Sequence, residues 1–298
     1  MDIAGLDVNN LFEYRLDNYC HFLAIAILYY DHALTLPMEM DLVWRAPKRL
    51  NSYLFFLNRY FAFLGHIVVT ATLLHDSASA INPARLEQRC DTFWNFRNVL
   101  VVATQIIVGL LLSQRVYGLY GCSRRILYFL GILAITLGGL SSVALFISSS
   151  NGIVPVMTIE GCHAPLDSKT ARYVAFAWEG VFSYDVVLFV MTMLKARQRR
   201  RDELRFVRMQ LEATSGRQSL ATVLIRDGFL YFLAMTLANL SNILSFYFTA
   251  PAFRGGLATF ASCISVTMMS RLMLNLRAQV EQDSRTYSRS IVSQMRFA

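Results

Sequence analysis

Charged residues are scarce in this chain. They make up 16% of its 298 residues while hydrophobic residues make up 55%, where a soluble domain carries about 25% charge. That balance excludes an ordinary soluble domain. Histidine is also sparse, and His21, His32, His66, His75 and His163 form neither an HExxH motif nor a pair at i, i+4, so a zinc-binding helix is not expected. The chain lacks a P-loop, a GxSxG elbow and a dinucleotide fingerprint, and no enzymatic activity, metal or cofactor is expected of it. Even alternation of polar and apolar residues is missing, which argues against an outer-membrane barrel. The first 18 residues set Asp2, Asp7, Glu13 and Asp17 against Arg15 alone, so no cleavable signal peptide is expected and the first apolar run should remain in the protein.

What the chain does contain is a succession of apolar runs separated by charged connections. A helical span needs roughly 20 mostly apolar residues. Seven segments qualify, at about Tyr19–Leu36, Leu50–Leu74, Thr92–Leu112, Ile126–Ile147, Tyr173–Leu194, Leu220–Phe248 and Leu257–Leu276. His21, Asp31 and His32 weaken the first, which a strict hydropathy threshold could miss. Pro37 should end it. The expected fold is all-α, an integral membrane bundle of seven transmembrane helices, with a short extracellular tail over 1–18, the bundle over 19–276 and a short basic cytoplasmic tail over 277–298.

Net charge is +8, which could suggest nucleic acid. The basic residues instead cluster between apolar runs, the pattern of cytoplasmic loops rather than of a basic groove. Arg45, Lys48 and Arg49 fill the first connection and Arg115, Arg124 and Arg125 the third, while eight basic residues including Arg199, Arg200 and Arg201 occupy the fifth. The alternate connections carry few, and this asymmetry puts the N-terminus outside and the C-terminus in the cytoplasm. The bilayer is the expected partner and the plasma membrane the default location. Cys90 and Cys162 then both fall on the oxidising side and are expected to be bridged. The fifth connection reads as an amphipathic extension of its span, serving either as a docking surface for a cytoplasmic partner or as a headgroup anchor.

Charges inside the apolar runs carry the functional signal, because each costs about 2.5 to 3.5 kcal/mol at the membrane centre unless paired. The candidates are Asp31, Arg59, Arg97, Glu179 and Asp185, with Arg226 and Asp227 at the start of the sixth run. Asp31 lies roughly 9 Å and Arg59 roughly 13 Å from the inner ends of their spans. Comparable depth on consecutive antiparallel helices predicts that they pair. The pair reads either as a static bridge or as a proton or ion relay. If the first helix runs past Pro37, Asp31, Thr35 and Glu39 share one face at i, i+4 and i+8. Glu179 and Asp185 are about 600° apart around their helix, which argues against a two-carboxylate site.

The segment YYDHALTLPMEMDLVW resembles the N-terminal signature of fungal, mainly basidiomycete, multi-pass membrane proteins carrying the domain of unknown function 6533. Arg115-Val-Tyr117-Gly-Leu-Tyr120, Trp178-Glu179, Arg226-Asp227-Gly228 and Ser270–Arg277 look similar to later landmarks of that family. The resemblance implies a seven-span membrane protein and carries over no reaction, ligand or catalytic residue. Two functional classes remain open. Seven spans, an outer N-terminus, the Cys90–Cys162 pair, Arg115 and Tyr117 near the inner end of the third span and the basic fifth connection fit a receptor-like protein with the topology of G-protein-coupled receptors, answering to an unknown ligand. The absence of a D/E-R-Y triplet and of N-P-x-x-Y makes that match topological. Buried charge fits a transporter or channel, although no inverted repeat or pair of broken spans is visible.

Overall fold

The computed structural model describes residues 8–45, 50–76, 83–150, 156–158, 161–209 and 220–296. Seven long helices make up almost all of it: α1 Val8–Glu39, α2 Leu50–Asp76, α3 Pro83–Leu119, α4 Arg124–Ser150, α5 Ser168–Met209, α6 Leu220–Phe248 and α7 Ala258–Arg296. A two-stranded hairpin, β1 Val156–Thr158 antiparallel to β2 Gly161–His163, precedes α5. With no hydrophobic drive between helices in lipid, packing and interhelical hydrogen bonds must hold such a bundle together. Among the described residues, five helices are long and apolar enough to cross a membrane, over Asn51–Leu73, Arg89–Leu119, Arg124–Ser148, Ser168–Gln198 and Gly228–Phe248. The chain is a multi-pass membrane protein. α1 and α7 have the length, but polar residues interrupt both.

The reason lies in where the polar residues point. α7 is wrapped by α1, α2, α3 and α6, and no residue between Ala258 and Gln279 is exposed. Its Thr259, Ser262, Ser265, Thr267 and Ser270 are buried among helices, where Arg97, Thr104 and Asn58 replace water as partners of Thr259, Ser262 and Ser270. α1 presents Phe22, Leu23, Tyr30 and Leu34 to the surroundings while Asp17, His21, Asp31 and Thr35 turn inward. The main core joins both to the rest through Leu28, Ala62, Leu111, Leu188, Phe232 and Met269.

Pro37 does not end α1. The helix continues to Glu39 and loosens into a π turn over Met40–Trp44. Proline removes one intrahelical bond, and a wider turn just beyond lets the backbone re-form its ladder in a different register. At the other end of the bundle, the hairpin is tied to α3 by the Cys90–Cys162 disulfide, with Cα atoms 5.5 Å apart. The bridge is buried against Val69, Leu73, Phe93 and Leu100. A tight turn joins α3 to α4, where Gly121 takes a φ of 68° and donates to the Gly118 carbonyl at 3.1 Å, a left-handed helix ending that glycine adopts without strain.

Candidate functional site

A polar seam runs along α1 and α7 from one end of the bundle to the other. At the hairpin end, Asp17 lies 3.4 Å from His163 Nδ1 and 3.6 Å from an Arg97 guanidinium nitrogen. Arg97 also donates to Thr259 Oγ1 at 3.1 Å and sits over the Trp94 ring, while His163 stacks on Tyr14 at 4.5 Å between ring centres. Burial alone would push the Asp17 carboxyl up, but Arg97 and the hydrogen bond from His163 outweigh it and hold it below the usual carboxylate range. Deeper in the seam, Thr104 and Ser262 share a hydrogen bond of 2.6 Å, and His66 Nε2 lies 3.4 Å from Cys263 Sγ.

Asp31, Thr35 and Glu39 do share one inward face of α1, each buried, but the expected Asp31–Arg59 pair is not formed. Arg59 instead bridges Glu39 at 2.9 Å and donates to Thr35 Oγ1 at 2.7 Å and to the His32 carbonyl at 2.8 Å. Thr35 Oγ1 in turn donates to the Asp31 backbone carbonyl at 2.7 Å. Tyr60 and the Trp44 indole each donate to Glu39 Oε1 at 3.0 Å. Asp31 pairs with Arg271 of α7. The reason is spatial: α1 packs chiefly against α7, and only lightly against its sequence neighbour α2. Arg277 extends the seam by donating to Ser52 Oγ at 3.0 Å.

Glu179 and Asp185 take separate partners on α6. Tyr247 donates to Glu179 at 2.7 Å near the hairpin end, and Asn239 donates to the buried Asp185 Oδ2 at 2.9 Å. They do not form one acid–base site. Asp185 does line something else, a cavity of about 430 Å³ between α3, α4 and α5. Its walls are mostly apolar, from Val101, Leu137, Leu145 and Val181 among others, with Gln105, Tyr184 and Ser113 as polar points. Tyr184 Oη and Ser113 Oγ satisfy each other at 2.7 Å, whereas Gln105 Nε2 is buried without a partner. The cavity opens where α4, drawn close to α5 by small residues, touches α3 only lightly. Ser141 donates to the Ala177 carbonyl at 3.3 Å, and a Cβ on Gly180 would come within 2.6 Å of Ser141 Oγ.

At the end away from the hairpin, Arg115 and Tyr117 are half-buried, with the Arg115 guanidinium beside Gly228 of α6, and Arg201 is exposed on the long extension of α5. Arg199, Arg200, Arg226 and Asp227 lie on helices but outside the residues whose side chains are described, and Lys48 and Arg49 lie outside the described residues. Sequence reasoning missed Arg271 and the meeting of Asp17 and His163 with Arg97. Arg271 falls inside the seventh apolar run, Leu257–Leu276, where a charge is as visible as in the other runs. Glu39 was signalled by its i+8 spacing from Asp31, while nothing in the sequence tied His163 to Asp17.

The model of a family of unknown function (DUF6533) matches residues 19–64, the stretch of α1, the π turn and α2 that carries Asp31, Glu39 and Arg59. The segments around Arg115, Trp178, Arg226 and Ser270 lie outside that match. No curated protein and no solved structure matches the chain.

Proposed function

We propose that this is a receptor-like signalling protein of fungal type at the plasma membrane, in which all seven helices cross the bilayer with the N-terminus outside and the C-terminus in the cytoplasm. The observation that carries the reading is the separation of charge from cavity. Asp17, Asp31, Glu39, Arg59, Arg97 and Arg271 are consumed in pairs along the α1–α7 seam, whereas the 430 Å³ cavity lies between α3, α4 and α5 and is mostly apolar. A transporter needs groups free to release and rebind an ion, and paired charges along the seam do not supply them. A seam of paired charges beside an apolar cavity suits a protein that senses a ligand and shifts helices around it. Seven crossings alternate correctly only if α1 and α7 both span, and this places the disulfide-tied hairpin outside. Arg115, Tyr117 and the extension of α5 with Arg199, Arg200 and Arg201 then face the cytoplasm as the surface for a signalling partner.

Two assays together test this. Reconstituted beside a heterotrimeric G protein, the protein should accelerate nucleotide exchange, and proteoliposomes under an imposed proton or sodium gradient should show no protein-dependent flux. Flux without exchange would replace the receptor reading by the transporter reading. Epitopes at the two termini add the topology check: only the N-terminal tag should label on intact cells.

A further inference from the structure

We infer that the α3–α4–α5 cavity binds a neutral membrane-borne alcohol, a long apolar molecule ending in a hydroxyl group. The inference rests on the preceding reading only in taking this cavity as a binding site. Its volume of about 430 Å³ falls within the range of small-molecule sites. Val102, Ile106 and Leu110 of α3 and Leu145 of α4 line it and are also exposed on the outer surface of the bundle, so its mouth faces lipid and an occupant enters sideways from the bilayer.

Two buried polar groups set the head group. Gln105, 8% exposed, offers an amide Nε2 with no partner, and an unmet buried donor is costly enough to favour any acceptor that reaches it. Asp185, 7% exposed, accepts a hydrogen bond from Asn239 through Oδ2 and has further acceptor capacity. An ammonium head would donate to Asp185 but cannot accept from Gln105 Nε2. A carboxylate would accept from Gln105 but faces the Asp185 carboxyl. A hydroxyl accepts from one and donates to the other. Of the other lining hydroxyls, Tyr184 and Ser113 are bonded to each other, and Ser141 and Ser142 donate to the Ala177 and Gly138 carbonyls.

The test uses four palmityl probes carrying the same photoreactive diazirine and ending in a hydroxyl, an ammonium, a carboxylate or a methyl group. They are presented to the full chain in phosphatidylcholine vesicles, with non-reducing mass mapping of Cys90–Cys162 as the check that each variant is folded. The hydroxyl probe should label α3 and α5 lining residues about tenfold more than the methyl probe, the worth of one good hydrogen bond. Gln105→Leu should remove that advantage and leave ammonium labelling unchanged. Asp185→Asn, which turns an acceptor into a donor, should raise carboxylate labelling above hydroxyl labelling. Gly138→Phe fills the cavity from α4, where a Cβ meets nothing within 4 Å, and should abolish labelling by every probe. Equal labelling by hydroxyl and methyl probes, stronger labelling by ammonium, or labelling that survives Gly138→Phe would overturn the inference. If a variant fails to fold, the order of the four probes on the wild-type chain decides alone. Labelling by none of them would remove the cavity from the receptor reading as well. Labelling as expected without nucleotide exchange would leave this inference standing and overturn that reading.

Discussion

α4 and α7 meet their surroundings in opposite ways. Only 11% of the apolar window of α4 is buried, and it shows Tyr128, Ile132, Ile135 and Phe146 to the outside. α7 shows nothing between Ala258 and Gln279 and carries a row of serines and threonines ending in Arg271. Hydropathy measures what a helix presents to lipid. A helix enclosed by other helices loses that signal, while those around it keep theirs. Polar residues therefore mark the middle of this bundle and apolar residues its rim.

The sharpest way to break the contrast is to strand a charge in the seam. Arg59→Met leaves Glu39, fully buried, without its cation and should cost about 3 to 5 kcal/mol, read as loss of folded yield in detergent. Ile135→Val on the exposed face of α4, at 77% exposure, should stay within about 0.5 kcal/mol in the same measurement. A comparable loss at both sites would mean that burial does not separate the two helices.

Cys90→Ser comes next, since the bridge closes a separation of 72 residues and holds the hairpin to α3. Thermal unfolding should report a loss of about 2 to 4 kcal/mol, and reductant should reproduce it in the unmodified protein. An unchanged transition would mean the hairpin is held by the Asp17–His163 contacts instead. A smaller effect is expected where α4 meets α5. Gly180→Val places a side chain against Ser141 and should cost about 1 to 3 kcal/mol, with faster hydrogen exchange in α4 and none of that change in α7. Faster exchange in both would show that the rim and the seam are one cooperative unit.

How far the sequence could be read follows the same division. The five apolar helices were legible because each exposes enough of its length to keep an uninterrupted hydrophobic run. Cys90 and Cys162 were legible from compartment. Asp31 and Arg59, both buried, stood out as charges in apolar runs but were assigned to each other, because order along the chain does not give adjacency in space. Arg271 was overlooked for the converse reason: a basic residue near a span end looks like a loop residue until α1 is known to lie against it. The cavity left no trace in sequence, since Gly138, Ser141, Ala177 and Gly180 acquire meaning only when α4 and α5 face each other.

The smallest effect expected is that of acid on the hairpin end. Asp17 has its pKa lowered, so its contribution is complete above the unfolded carboxylate value of about 3.9 and is lost only as pH falls through the lower folded value. Arg97, His163 and His21 face it, and each favours its ionised form. Protection of the His163 amide, corrected for intrinsic exchange, should hold from about pH 7 to 5 and fall only below about 4. Loss of protection near pH 6 would place control with the histidines.

The central claim is that opposite charges facing each other let polar helices pack at the heart of a membrane bundle, and the Asp31–Arg271 pair between α1 and α7 tests it most directly. A double-mutant cycle with Asp31→Leu and Arg271→Met, read as folding free energy in micelles, should give a coupling of about 1 to 3 kcal/mol, with the double variant losing clearly less than the two singles together. Additive losses would contradict the account, because the two side chains would then contribute without meeting.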